Sequence, residues 1–252
     1  MLKCGRKFAR TAVLAGALPR LFTLLRRERL ASKLKAVIFD WDLTLWNSWD
    51  IHVWLMGKTA DDLGLPRPQK DQIAREYSRP FLQHLAWFFG DDQSLFLDSY
   101  IGFYREAVGN MSGLYPGVAE TLRVLKRHGL KLGIFSDKRQ PFGVTELELT
   151  GIGHLFDLAS FLEDGRPYKP DPQGLKHAMD VMEVLPLESL YVGDTRHDIE
   201  CAQRAGTRSA AALWGTVDRE GLLAQDPDYS WDRAESILTS LGIDGQQAGG
   251  RS

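Results

Sequence analysis

Asp40-Trp41-Asp42-Leu43-Thr44 puts two carboxylates at alternate positions. Alternate residues of an extended chain point the same way, so Asp40 and Asp42 can approach one site while Trp41 points elsewhere. Neighbouring carboxylates repel unless a cation or a shared proton separates them. The spacing therefore points to a metal site, an acid/base pair, or both; residues that merely cap a turn are the plainer alternative. Ser136-Asp137-Lys138 offers a hydroxyl and backbone N–H groups that can hold phosphate oxygens, although a serine in an ordinary loop reads the same way. Lys169-Pro170-Asp171-Pro172 is stiffened by its prolines, so Lys169 has little freedom and could balance carboxylates and an anionic intermediate. Gly193-Asp194-Thr195-Arg196-His197-Asp198 permits a close turn at Gly193, with Asp194 and Asp198 one helical turn apart and able to face one place. A hard cation such as Mg²⁺ favours a few carboxylates with waters and phosphate oxygens.

The elements around these residues explain how four distant segments could meet. Short apolar runs at 35–39, 130–135 and 190–192 end at Asp40, Ser136 and Gly193-Asp194, and each reads as a buried strand. A fourth run lies at 209–213 and a weaker one at 156–160. Helical patterns separate them: 118–128 stopped by Gly129, 173–183 with Asp171 as N-cap and Pro172 at the first helical position, and 196–205 closed by Gly206. Alternating strand and helix implies an α/β fold, with a doubly wound parallel sheet covered on both faces. In such sheets ligands bind outside the carboxyl ends of the strands, where Asp40, Ser136, the Lys169 loop and Asp194 are all delivered. Between 45 and 115 no strand is evident. Helical stretches at 49–63, 69–89 and 93–108 form an inserted all-helical segment.

The chain has 252 residues, 44% of them hydrophobic and 25% charged, as in ordinary globular proteins. No apolar run reaches the 18 residues of a transmembrane helix. Two cysteines, Cys4 and Cys201, read as free thiols in a reducing compartment. Residues 1–35 hold ten Lys or Arg and one acid, about +9, which leaves about −11 on the rest of a chain of net charge −2. An acidic body argues against a nucleic-acid surface. The basic start, Arg-rich and acid-poor, is compatible with a solvated or docking helix, with organelle targeting or with membrane-surface contact.

The four segments, in this order and each at a strand end, resemble the motifs of the haloacid dehalogenase superfamily over most of the chain, from about Lys33 to Leu241. The inserted helices resemble the C1 cap of its phosphoglycolate-phosphatase-like subgroup. Where the family often has Gly between the second Asp and Thr, this chain has Leu43. The resemblance implies a Rossmann-like core at 33–46 and 115–243 and a helical C1 cap at 47–114; the charge of the start marks a basic extension at 1–32, and the polar, Gly-rich end at 244–252 reads as a disordered tail. It implies a Mg²⁺-dependent phosphatase that hydrolyses a small phosphorylated metabolite through an aspartyl phosphate. Asp40 is then the nucleophile and Asp42 the general acid/base. Mg²⁺ is held by the Asp40 carboxylate, the Asp42 backbone carbonyl and Asp194, with Asp198 nearby steadying Lys169. Ser136 and Lys169 bind the transferring phosphoryl group, the Asp137 backbone adds a donor, and Thr44 orients the loop. Family dehalogenases lack the second Asp, so Asp42 favours phosphoryl transfer over halide displacement.

A phosphomutase of the same subgroup and a catalytically idle binding module remain as alternatives. A cytoplasmic protein is expected, without nucleic-acid partners. Trp46, Trp49, Trp54 and Trp87 are expected in the core of the inserted helices, and His84, His128, His154 and His177 as surface or packing residues. Residues 45–46 and 115–116 are expected to be the two hinge strands.

Overall fold

The structure, a computed structural model, describes residues 33–243. The readings made for 1–32 and 244–252 lie outside the described residues. From β1 (Ala36–Phe39) the chain passes through β2 (Trp46–Asn47) into four helices: α1 (Trp49–Asp62), α2 (Lys70–Glu76), α3 (Phe81–Phe89) and α4 (Gln93–Met111). It returns through β3 (Gly113–Leu114) and α5 (Val118–Arg127). Alternation follows: β4 (Lys131–Arg139), α6 (Gln140–Thr150), β5 (Leu158–Leu162), α7 (Gln173–Val181), β6 (Ser189–Gly193), α8 (Arg196–Ala205), β7 (Arg208–Ala212), α9 (Arg219–Leu223), β8 (Tyr229–Trp231) and α10 (Ser236–Ser240). Six strands form one sheet in the order β5-β4-β1-β6-β7-β8, and every pairing is parallel.

The apolar run of β1 is needed because both its faces are covered. Val37 and Phe39 join one hydrophobic cluster with Val118, Leu122 and Leu125 of α5. Ala36 and Ile38 join another with Leu175 and Met179 of α7 and Cys201, Ala202 and Ala205 of α8. Period-two alternation thus splits one strand between two cores, giving the expected α/β architecture. The first cluster continues into the inserted helices through Ile51, Leu55 and Met56 of α1 and Tyr100, Tyr104 and Val108 of α4. The spacings of four, 51–55 in α1 and 100–104–108 in α4, place these residues on one face of each helix, with Met56 beside Leu55.

Several expectations needed correction. The helix expected at 69–89 is two, because Pro80 excludes Arg79 from helical geometry and caps the start of α3. β4 runs past Ser136 to Arg139, where it regains pairing with Leu162 after a register shift. The antiparallel hinge pair is Trp46–Asn47 with Gly113–Leu114, one or two residues from the expected positions. Pro172 is the N-cap of α7, one residue later than expected, although the Asp171 carboxylate still accepts from Gln173 N at 2.8 Å. Trp87 is 60% exposed rather than in the core, and its ring lies under the Arg79 guanidinium at 4.4 Å. Among the described residues, no helix is long and apolar enough to cross a membrane.

Candidate active site

Asp40 follows β1, and its N–H donates to Val192 O of β6 at 2.9 Å. The chain then turns tightly. The N–H groups of Leu45 and Trp46 both point to Trp41 O at 2.9 Å, and Leu43 N donates to Trp46 O at 2.8 Å. This turn requires a left-handed residue, and Leu43 supplies it at φ 56°; glycine would adopt that conformation without steric cost. A distant segment clamps the turn: Trp214 Nε1 donates to Thr44 O at 2.9 Å, and a Cβ on Gly215 would overlap the Leu43 carbonyl oxygen. Thr44 Oγ1 in turn donates to Asp194 Oδ1 at 3.1 Å.

Asp194 leaves the end of β6, and Asp198 sits in the first turn of α8, capped by Thr195. One carboxylate oxygen from each of Asp40, Asp194 and Asp198 lies within 4.8 Å of the others. Lys169 enters this cluster, 2.7 Å from Asp198 Oδ1 and 3.0 Å from Asp40 Oδ1. The other oxygen of Asp198 accepts from Thr195 N at 2.9 Å and Thr195 Oγ1 at 2.6 Å. Asp198 is therefore saturated by protein donors. Asp40 Oδ1 and Asp194 Oδ2 are buried and accept no hydrogen bond; Lys169 reaches Asp40 at ion-pair distance but outside hydrogen-bond direction. Two buried carboxylate oxygens without hydrogen bonds, on residues of one acidic cluster, are expensive alone and suit a hard divalent cation. The donor set fits a divalent cation, with Asp40 and Asp194 as the residues that would hold it.

Electrostatics follow burial. Burial pushes the Asp40 carboxyl up to about 7, Asp198 adds to this, and Lys169 and Ser136 oppose it. Burial, then the Asp198 and Asp40 charges, hold Asp194 well above the carboxylate range. Burial works against the Lys169 charge, but Asp198 and Asp40 outweigh it and keep the ammonium well above its usual value. Burial likewise opposes ionisation of Asp198, which Lys169 and Thr195 overcome, so its pKa is low.

Ser136 is buried beside this cluster. Asp137, whose backbone is expected to add a donor, also has a side-chain role: Oδ2 accepts from Lys169 N at 2.9 Å, and Oδ1 pairs with Arg166 at 3.2 Å. It pins the loop that presents Lys169. Asp42 stands apart from the three clustered carboxylates. Its Oδ1 is 3.2 Å from Lys138 Nζ, which is also 2.9 Å from Glu146 Oε1. Glu146 is buried on α6 and accepts from Trp41 Nε1 at 2.7 Å and Tyr104 Oη at 2.8 Å. Lys138 carries no role in the sequence analysis, and Glu146, Arg166, Trp214 and Gly215 are absent from it. Lys138 lies in a quoted motif; the others carry no local signal, because most of their partners are far along the chain, from 29 positions for Arg166 and Asp137 to 170 for Trp214 and Thr44.

Above these residues lies a cavity of about 270 Å³, walled below by Asp40, Asp42 and Lys169 and above by residues of α1, α3 and α4. His84, expected at the surface or in packing, is buried in this wall and bonds His52 at 3.0 Å.

This geometry coincides with what the chain resembles. The family model described as haloacid dehalogenase-like hydrolase matches residues 37–212. The chain belongs to the haloacid dehalogenase-like hydrolase family. It is a hydrolase, and its relatives group it with that family's phosphatases. The pyrophosphatase PpaX of Bacillus cereus is 31% identical over 214 residues, 83% of this chain and 97% of that one. PpaX of Bacillus velezensis is 28% identical over 211 residues, covering 84% and 98%. The solved structure of a predicted phosphoglycolate phosphatase from Haemophilus somnus superposes with TM-score 0.76 at 25% identity, over 83% of this chain and 99% of that one. A haloacid dehalogenase-like family hydrolase from Streptococcus pneumoniae shares the fold, with TM-score 0.74 at 24% identity over 82% and 98%.

Proposed function

We propose that the enzyme hydrolyses a small phosphomonoester with Mg²⁺ bound, through a phosphorylated Asp40. The observation that carries this reading is the buried Asp40 carboxylate at the end of β1. It lies beside the Lys169 ammonium and in one cluster with Asp194, and each of the two carboxylates keeps a buried oxygen without a hydrogen bond. A bound Mg²⁺ would supply charge neutralisation for the phosphoryl oxygens.

In the first step an Asp40 oxygen forms a bond to phosphorus. The ester P–O bond breaks, and Asp42 gives a proton to the departing alkoxide. In the second, Asp42 takes a proton from water, whose oxygen bonds to phosphorus as the Asp40–phosphorus bond breaks. Inorganic phosphate leaves and the Asp40 carboxylate returns. Lys169 and Ser136 hold the transferring group, and Thr44 fixes Asp194. Lys138 holds the Asp42 carboxylate at 3.2 Å. A site roofed by residues of three helices, α1, α3 and α4, suits small substrates.

Acid-quenched enzyme mixed with substrate should carry one phosphoryl group on the peptide that contains Asp40, and Asp40→Asn should carry none and turn over at least a thousandfold more slowly. In thermal-shift titrations Mg²⁺ should raise the Tm of the wild type and do so far less for Asp194→Asn. A phosphoryl group found elsewhere would refute the nucleophile, and equal Mg²⁺ shifts would refute the metal ligands.

A further inference from the structure

The cavity over Asp40 is poorly suited to a second anion. Among the described residues, each Lys or Arg that lines it already faces a carboxylate. Lys169 is held by Asp40 and Asp198, and Lys138 lies between Asp42 and Glu146. Arg79 pairs with Glu76 at 2.5 Å and covers the Trp87 ring, and Arg139 reaches Asp164 at 3.3 Å from the rim. Asp42 and Glu146 set two carboxyl groups against the single Lys138 ammonium at the place where a leaving group must lie, so that ammonium is not free for a second anion.

The histidines of the wall do not change that balance. His52 Nδ1 is bonded to Tyr100 Oη at 2.8 Å and Nε2 to His84 Nε2 at 3.0 Å. The shared bond requires one ring nitrogen to accept, so the pair cannot be doubly protonated. Burial and the neighbouring His84 and Lys138 hold His52 well below its usual pKa. Burial also holds His84 low, and burial and Arg196 lower His197. The Tyr104 hydroxyl is occupied by Glu146. With these polar groups satisfied among themselves, the wall offers chiefly hydrocarbon and ring faces from Ile51, Leu55, Tyr77, Phe81, Tyr100 and Phe142.

We infer that the site selects phosphomonoesters whose leaving group is uncharged and presents an apolar or aromatic ring face, and that it disfavours pyrophosphate and carboxylate-bearing esters. This rests on the phosphatase reading above and departs from the substrates in the names of the relatives. An apolar protein cavity of about 150 Å³ holds a benzene, so one of about 270 Å³ takes a single ring beside the phosphoryl group. The ring gains aromatic contacts and removes apolar surface from water. A second phosphate or a carboxylate meets the carboxyl groups of Asp42 and Glu146 instead, with no unpaired cation to neutralise it.

The test compares kcat/KM of the full chain with Mg²⁺ for benzyl phosphate, phosphoglycolate and pyrophosphate. Benzyl phosphate should exceed each of the others by at least tenfold. Glu146→Gln, which leaves Lys138 with less compensation, should raise the pyrophosphate-to-benzyl phosphate ratio at least fivefold. Should that variant fail to fold, the wild-type ranking alone decides. Turnover with pyrophosphate or phosphoglycolate equal or superior overturns this inference while leaving the phosphatase reading intact. An unchanged ratio in a folded Glu146→Gln overturns its electrostatic basis. Turnover of none of the three, with no phosphoryl group on Asp40, overturns both.

Discussion

The hydroxyl of Tyr104 donates to Glu146 Oε1 at 2.8 Å, joining the longest inserted helix to a helix of the α/β core through a buried bond. The same carboxylate serves Trp41 and Lys138, so one side chain ties together the Asp40 loop, the end of β4 and the roof of the cavity. Tyr104→Phe removes one donor and leaves Glu146 with the others. A loss of about 1 kcal/mol follows for a net hydrogen bond of this kind, or roughly 2–4 °C in Tm for a chain of this size. Calorimetry that finds Tyr104→Phe as stable as the wild type would show that the bond contributes nothing.

Lys138→Met should do more damage. Burial opposes the Lys138 charge, but Asp42 and Glu146 outweigh it and raise its pKa. Without the ammonium, two carboxylates face each other beside a low-dielectric wall. Removing one partner of a buried ion pair costs about 3–5 kcal/mol, and kcat should fall at least tenfold as Asp42 loses its anchor. Urea unfolding and steady-state kinetics measure the two effects. A variant that loses stability alone would separate Lys138 from the positioning of Asp42.

The metal-free protein should lose stability as pH rises from about 4 to about 7. Burial raises the Asp40 pKa to about 7, while the unfolded carboxyl titrates near 4. Between these values the native state holds a proton that the unfolded state has released, so stability declines with pH. Asp40→Asn removes this contribution. With EDTA present, the Tm of the variant minus that of the wild type should grow across this interval, and a difference independent of pH would contradict the assignment. Asp194 shifts in the same direction, and the Asp40 charge is one cause of its shift, so the difference reports the Asp40–Asp194 pair together.

Gly215→Ala is a remote change with a local effect. The added methyl would overlap the Leu43 carbonyl oxygen, forcing the turn between Asp42 and Thr44 to move. Misplacement of a catalytic group by an ångström can lower rate about a hundredfold. At least a tenfold fall in kcat, with a far-ultraviolet circular dichroism spectrum like the wild type, is expected. Unaltered kcat would mean that the turn accommodates the methyl.

The sequence was most informative where burial is complete. β1 is apolar on both faces because both are covered, and its end marks Asp40. Helix α8 was legible from its start at Arg196 to its close at Gly206, since Thr195 and Gly206 carry cap chemistry that is local in sequence. β8 escaped because it is a three-residue strand at the sheet edge, too short to show a period. Leu43 stands where the family often has glycine, and the structure gives it the left-handed conformation that explains glycine's use there. Its side chain is fully buried; apolar burial of about 1.5–3 kcal/mol offsets a left-handed penalty of about 1–2 kcal/mol. Glu146 could not be read, because its importance comes only from partners brought to it by folding.

The order of strands has a consequence for how the protein is made. β1 pairs with β4 on one side and β6 on the other, and Thr44 meets Asp194 across 150 positions of chain. Synthesis proceeds from the amino end, so the ribosome delivers the Asp40 loop first and the groups that complete its surroundings about 150 positions later. Until β6 and α8 emerge, Asp40 has neither Asp194 nor Asp198 beside it. Nascent chains halted before residue 190 therefore display the Asp40 loop without the two carboxylates that complete the cluster, which assembles only after α8 has left the ribosome.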